Sequence, residues 1–319
     1  MSNATPVRAA GEVLTHRQTL TVMVGLMLGM FLSSLDQTIV STSIYTIAND
    51  LDGLSLQAWA TTAYLITSTV TTPLYGKLSD IFGRRPLYLA AILIFLAGSL
   101  YAGSVHSMTE LAIARGIQGM GAGGLLALAL TIIGDIVALK DRAKYQGYFM
   151  SVFGVSSVLG PVVGGAFAGS ANILGFDGWR WVFFINLPIG LAALAVVFFY
   201  LHLPAKHVKQ KIDYWGAAAI TLAIVPLLLV AEQGRSWGWT SGNAWICYGL
   251  GVIGIIAFLL VERRAGDYAL IPLRLFRNIT FGLSSLLNFI IGIGMFGPSR
   301  CSRCTCSWSR ASPPPRPAS

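Results

Sequence analysis

Two ionisable residues stand alone inside long apolar stretches of the sequence. Asp36 is the one charge between Arg17 and Asp50, and Arg115 is the one charge between Glu110 and Asp135. If these stretches cross a membrane, each charge at mid-bilayer costs ~2.5–3.5 kcal/mol on insertion scales, so the two must face each other or water. An acid that takes up a proton and frees an arginine partner can couple proton movement to a change of shape. The plainer alternative is a static buried ion pair that only holds two helices together.

The composition requires elements of that kind. Of 319 residues, 55% are hydrophobic and 11% are charged, against about 25% charged in a soluble domain, and the mean hydropathy is +0.68. A span needs about 20 mostly apolar residues to cross ~30 Å of hydrocarbon. Reading between charges predicts nine helical spans, near residues 20–46, 56–76, 87–105, 109–134, 146–169, 182–203, 214–233, 244–261 and 278–297. No alternation of short strands suggests a barrel. A rise of about 1.5 Å per residue sets Asp36 about 16 Å, and Arg115 about 10 Å, below the same side of the membrane, so the two can pair.

Charge placement supplies an orientation. Counting Lys and Arg on alternate sides puts fifteen on one, from Arg8 and Arg17 through Arg274 and Arg277, and only Arg180 and Arg235 on the other. The basic side is expected to be cytoplasmic and to hold the N-terminus. The formal charge of +9 then reflects topology and attraction to anionic lipid head groups, and it calls for no nucleic acid partner. The first 19 residues are mostly polar and the apolar segment after them is too long for a signal-peptide core, so an uncleaved anchor is expected. Trp179, Trp181, Trp237 and Trp239 fall at the outer interface, where an aromatic belt is expected. Ser107 and Glu110 form a capping box before the fourth span.

The sequence between spans two and three reads Gly76-Lys77-Leu78-Ser79-Asp80-Ile81-Phe82-Gly83-Arg84-Arg85-Pro86, and a short cytoplasmic turn is predicted there. Its glycines permit tight backbone, Asp80 can accept from free helix N–H groups, and Pro86 suits a first helical turn. A loop that only sets topology would explain the basic residues, but not the glycines and Asp80 at these spacings. In span four Arg115-Gly-Ile-Gln118-Gly119 is followed by Gly121, Gly123 and Gly124, and in span five Gly154 precedes Gly160-Pro161-Val-Val-Gly164-Gly165. Small residues one turn apart let helices approach closely, and Pro161 favours a bend.

These patterns resemble those of the major facilitator superfamily. G-x-L-x-D-x-x-G-R-R is similar to its loop motif, R-x-x-Q-G to its span-four motif, and G-x(5)-G-P-x-x-G-G to its antiporter motif. Leu35-Asp36-Gln37-Thr38-Ile39-Val40 and Trp179-Arg180-Trp181 followed by Asn186 and Pro188 resemble the fourteen-span drug:proton antiporter branch.

The resemblance implies an all-α polytopic membrane protein: a cytoplasmic segment over 1–19, a six-helix transporter half over 20–203, and a cytoplasmic linker with two extra membrane helices over 204–277. One helix of an incomplete second half follows over 278–297. It implies proton-coupled export of hydrophobic or cationic small molecules across the cell membrane by alternating access. Asp36 and Arg115 would couple protons, Gly76, Asp80, Gly83, Arg84 and Arg85 would form a cytoplasmic gating loop, and Gly154, Gly160, Pro161, Gly164 and Gly165 a sliding surface. Trp59, Tyr64, Gln118 and Met150 are candidates to line a substrate cavity, with ordinary packing as the alternative.

The last 22 residues, 298–319, break this pattern. They are rich in Ser, Pro and Arg and hold three of the four cysteines. Cys301, Cys304 and Cys306 lack the fourth donor that tetrahedral zinc needs, so no metal is expected. A disordered tail or an out-of-frame segment after a truncation fits the composition better. Two rivals to export follow: a truncated, transport-inactive member of the same family, and an importer of sugars or organic acids. No phosphate loop or hydrolase elbow suggests an enzyme or a cofactor, and the sequence leaves the oligomeric state open.

Overall fold

The computed structural model describes residues 16–137, 141–201, 213–265 and 273–296. Lys140, Lys206, Lys209, Lys211, Arg8 and the cysteines of the tail lie outside them, as does the side chain of Arg235. The described chain is nearly all helix: α1 His16–Asp50, α2 Gln57–Phe82, α3 Arg84–Ser104, α4 Met108–Ile136, α5 Arg142–Ala168, α6 Trp181–Phe184, α7 Asn186–Tyr200, α8 Tyr214–Trp237, α9 Gly242–Ala265 and α10 Ile279–Phe296. A two-residue hairpin, β1 Asn172–Ile173 with β2 Phe176–Asp177, sits between α5 and α6.

Seven helices among the described residues are long and apolar enough to cross a membrane, counting Gly178–Tyr200 as one. Two predicted spans fall short on that measure for different reasons. Helix α10 is apolar but has only 18 residues, close to the shortest length that spans hydrocarbon. Helix α2 is long enough, at 26 residues, but rich in threonine. Its hydroxyls are satisfied within the helix: Thr62, Thr67, Thr69, Thr71 and Thr72 each donate to a carbonyl four residues back at 2.7–2.9 Å. That back-bonding removes the need for water around these groups, so a polar-looking sequence can run through apolar surroundings.

Helices α1 to α5 and α7 form one bundle. α2 and α3 lie along opposite sides of α4, α1 packs on α5, α7 and α4, and α3 packs on α7. A separate α8–α9 hairpin touches the bundle through α2. Glycines set the closest approaches. A Cβ at Gly98 of α3 would lie 2.7 Å from the backbone nitrogen of Gln118 in α4, and one at Gly121 would lie 2.6 Å from the nitrogen of Phe95. On the other side of α4, Gly119 and Gly123 leave no room for a Cβ against Tyr64 and Ser68 of α2. Glycine spacing thus puts α4 in backbone contact with both neighbours, the close approach that small residues permit.

The apolar core divides into two clusters. One is built on Leu26, Leu32, Tyr88, Phe95, Leu125 and Ala193, the other on Leu35, Ile39, Ala102, Leu111, Ala114 and Phe183. Along four helices the chain passes from one cluster to the other at polar residues. Ser33 and Ser34 separate Leu32 from Leu35 in α1, just before Asp36, Ser99 lies between Leu96 and Ala102 in α3, Arg115 and Gln118 separate Ala114 from Ala122 in α4, and Asn186 follows Phe183 at the start of α7.

Three local predictions are corrected by the structure. The segment from Gly76 to Pro86 is not a loop: α2 continues to Phe82, α3 starts at Arg84, and Gly83 alone makes the turn at φ 94°, ψ 153°. A side chain disfavours that conformation, so one glycine replaces a loop. Trp179 is not part of an exposed belt, because its ring is buried and its indole donates to Asp50 at 2.6 Å. The capping box is shifted by one residue: Glu110 N–H donates to Ser107 Oγ at 3.2 Å, while the Glu110 carboxylate accepts from the backbone of His106, not of Ser107.

Candidate functional site

At the junction of the two apolar clusters lies a closed polar network. Arg115 Nη1 donates to Asp36 Oδ2 at 2.5 Å, and the pair is buried, with side-chain exposures of 2% and 0%. Arg115 Nη1 also donates to Gln118 Oε1 at 2.7 Å, one turn along α4. Gln118 Nε2 in turn donates to Asp36 Oδ1 at 2.8 Å and to Ser99 Oγ at 2.7 Å. Asn186 Nδ2 reaches the same Asp36 oxygen at 2.7 Å and the same serine at 3.2 Å. The Arg115 guanidinium lies 4.1 Å from the centre of the Tyr64 ring, and the Tyr64 hydroxyl shares a 3.0 Å hydrogen bond with Ser33 Oγ.

The helices explain why these groups meet. The close approach at Gly98 brings Ser99 beside Gln118, and that at Gly119 brings the Tyr64 ring under Arg115. Five helices, α1, α2, α3, α4 and α7, each give a side chain to the network. Every group touching the Asp36 carboxylate donates to it, an arrangement suited to the ionised form. In such surroundings an ion pair adds little net stability over apolar packing, while removal of one partner is expensive. The network therefore holds the two charges together and penalises the loss of either.

Of the four residues singled out for a cavity, Tyr64 and Gln118 belong to this buried network. Trp59 and Met150 lie on the surface, 38% and 65% exposed. Ser99 and Asn186 are the members that sequence reasoning passed over. Their signal was faint: a serine beside a glycine in an apolar run, and an amide inside the Trp179-to-Pro188 pattern.

The two other motifs occupy different places. At one end of the bundle Arg84 binds Asp80 at 2.8 Å and Asp135, near the end of α4, at 3.0 Å, and also contacts Ser79. Arg85 donates to the carbonyl of Phe198 in the last turn of α7 and lies over its ring, where a cation complements the helix dipole. Gly76 faces open space, so no close approach explains it. In α5, Gly160 and Gly164 press on Thr38 and Thr42 of α1, Thr38 Oγ1 donates to the Ser156 carbonyl at 3.1 Å, and Ser43 Oγ donates to the Gly164 carbonyl at 3.1 Å. Gly154 and Gly165 meet nothing within 4 Å, and Pro161 is exposed.

The opposite end is closed by Arg180. It donates to Asp177 and to the carbonyls of Gly103 and Val105 at the end of α3, all at 2.9 Å, and stacks on Trp179.

The family model of the Major Facilitator Superfamily matches residues 26–301. The chain belongs to that superfamily. With seven helices able to cross a membrane, it is a multi-pass membrane protein. Among curated relatives, the Multidrug transporter protein MdtP of Bacillus subtilis is 41% identical over 279 residues, covering 86% of this chain and 50% of that protein. Multidrug resistance protein 3 of the same organism is 38% identical and covers 88% and 54%. The MFS-type efflux pump MMF1 of Pseudozyma antarctica is 34% identical and covers 87% and 52%. The chain spans about half the length of the curated relatives it matches. Among solved structures, the proton:xylose symporter XylE bound to 6-bromo-6-deoxy-D-glucose has a TM-score of 0.53 at 18% identity, covering 79% of this chain and 52% of that one. That likeness shows the superfamily fold and no more.

Proposed function

We propose that this chain acts in proton-coupled export of hydrophobic or cationic small molecules across the cell membrane, as a member of the fourteen-span drug:proton antiporter branch. In this reading Asp36 takes up the proton and Arg115 carries its effect to α4. The N-terminus is cytoplasmic, so the Arg84 cluster holds the cytoplasmic end and the Arg180 cluster the outer end. The α1–α5 contact at Gly160 and Gly164 is the sliding surface, and the exposed side chains of Trp59 and Met150 face the substrate path. The work is transport, with no chemistry done on the substrate.

The observation that carries the reading is the buried Asp36–Arg115 pair. Both of its side chains are almost wholly buried, at 2% and 0% exposure, and a buried pair is a poor way to gain stability. An intramembrane ionisable residue of this kind marks a proton or substrate pathway by default. The relatives named as multidrug transporters and efflux pumps point to the class of substrate.

Expression in an efflux-deficient host tests it. Cells carrying the chain are expected to accumulate less of a cationic dye than cells carrying Asp36→Asn. Equal accumulation in both, at the level of empty cells, would remove the export reading.

A further inference from the structure

Two buried atoms of the network have no hydrogen-bond partner: Nε of Arg115 and Oδ1 of Asn186. The second is informative because Asn186 touches the one carboxylate in the site. Oδ2 of Asp36 is taken by Arg115, and Oδ1 accepts from Gln118 and from Asn186. Around the anion all these contacts are favourable. A proton on Oδ1 changes the requirement, because the new O–H must find an acceptor where only N–H groups now point.

Gln118 is poorly placed to supply one. Its oxygen already accepts from Arg115, and turning its amide would set an NH2 group against the guanidinium. Asn186 differs. Its oxygen accepts nothing, and the terminal torsion of asparagine is broad and roughly two-fold. A half-turn brings Oδ1 to face Asp36 and Ser99, whose hydroxyl can rotate to donate. Nδ2 then moves to the place where Oδ1 had no partner. One unpaired amide atom exists before the turn and one after it, so the turn adds no further buried unpaired group.

We propose that Asn186 is the positioning residue that accepts the O–H of neutral Asp36, by a half-turn of its side-chain amide. The proposal rests on the reading of Asp36 as the proton site. The proton comes from water on the side to which the site opens and adds to Oδ1. The Asn186 N–H···Oδ1 bond breaks, an O–H···O=C bond to Asn186 forms, and no other covalent bond changes. Arg115 keeps Gln118 and the Tyr64 ring but loses its counter-charge. The groups bonded to Asp36 are Arg115 and Gln118 from α4 and Asn186 from α7, with Ser99 of α3 bonded to both amides and Tyr64 of α2 behind Arg115. From α5 the nearby contact is the uncharged one between Ser156 and Thr38. Only Arg115 and Tyr64 among these are titratable, so the response is set by few groups.

Infrared difference spectra of the full chain in lipid vesicles, taken across an acid step, test the proposal. A protonated-carboxyl C=O band lost in Asp36→Asn identifies the site. In Asn186→Leu that band is expected to move to higher wavenumber, and in Asn186→Ser, whose hydroxyl can accept, it is expected to stay near its original position. The unaltered chain labelled with 15N-asparagine gives a readout that needs no variant, since an asparagine amide band should shift on the same acid step. A carboxyl band that appears but does not move in Asn186→Leu, or an asparagine band that stays fixed, overturns the role of Asn186 and leaves Asp36 as the proton site. The absence of any band that Asp36→Asn removes overturns both.

Discussion

The molecule contains two arginine–aspartate arrangements built from the same chemistry in opposite surroundings. Arg115 and Asp36 meet between two apolar clusters with almost no exposure, whereas Arg84 shares Asp80 and Asp135 at the end of the bundle, where the carboxylates are 45% and 49% exposed. Water at the bundle end screens the charges and competes for their hydrogen bonds, so that arrangement ties α2, α3 and α4 together weakly and replaceably. Inside, no water replaces a lost partner, so each charge depends wholly on the other and on the amides around them. Burial, not residue type, makes one arrangement a replaceable fastener and the other a pair in which neither charge can lose its partner cheaply.

Substitutions should separate the two. The largest expected effect is that of Arg115→Leu, which leaves Asp36 buried and unpaired; unfolding in detergent should show a loss of about 3–5 kcal/mol. The double variant Asp36→Leu with Arg115→Leu should recover most of that loss, and a double variant as unstable as the single one would mean that the pair is ordinary packing. Next comes the frame around the inner pair. Gly98→Val places side-chain atoms against the Gln118 backbone, and overpacking of this kind costs about 1–3 kcal/mol, measurable as a lowered melting temperature. At the Arg180 end, Trp179→Phe removes the hydrogen bond to Asp50 and should cost about 1 kcal/mol in the same assay. Smallest is Asp80→Asn, which should cost less than about 1 kcal/mol, with the difference fading as salt rises. Equal losses for Asp80→Asn and Arg115→Leu would erase the contrast between the two sites.

Much of this contrast was legible before any coordinates. Apolar runs between charges located the helices, because hydrocarbon thickness imposes a minimum length, and the lone charges Asp36 and Arg115 stood out because the bilayer penalises them. The limits were also physical. Threonine-rich α2 looks marginal on hydropathy because its hydroxyls are satisfied by its own carbonyls, which a hydropathy scale does not register. The motif around Asp80 read as a loop because a turn of one glycine leaves the same signs as a longer one. Ser99 escaped notice, and Asn186 entered only as part of a family pattern, because a neutral polar residue in an apolar run carries no cost large enough to mark it as a site until its partner is known. Trp179 was misplaced because an indole that finds a carboxylate can be buried as well as exposed.

The central claim is that the inner pair couples a proton to transport. Its most direct test is dye movement driven by an imposed pH gradient in vesicles containing the full chain, compared between the unaltered sequence and Asp36→Asn. The expected result is gradient-driven movement that is lost in Asp36→Asn. Gradient-driven movement of equal rate in Asp36→Asn and the unaltered chain would contradict the account.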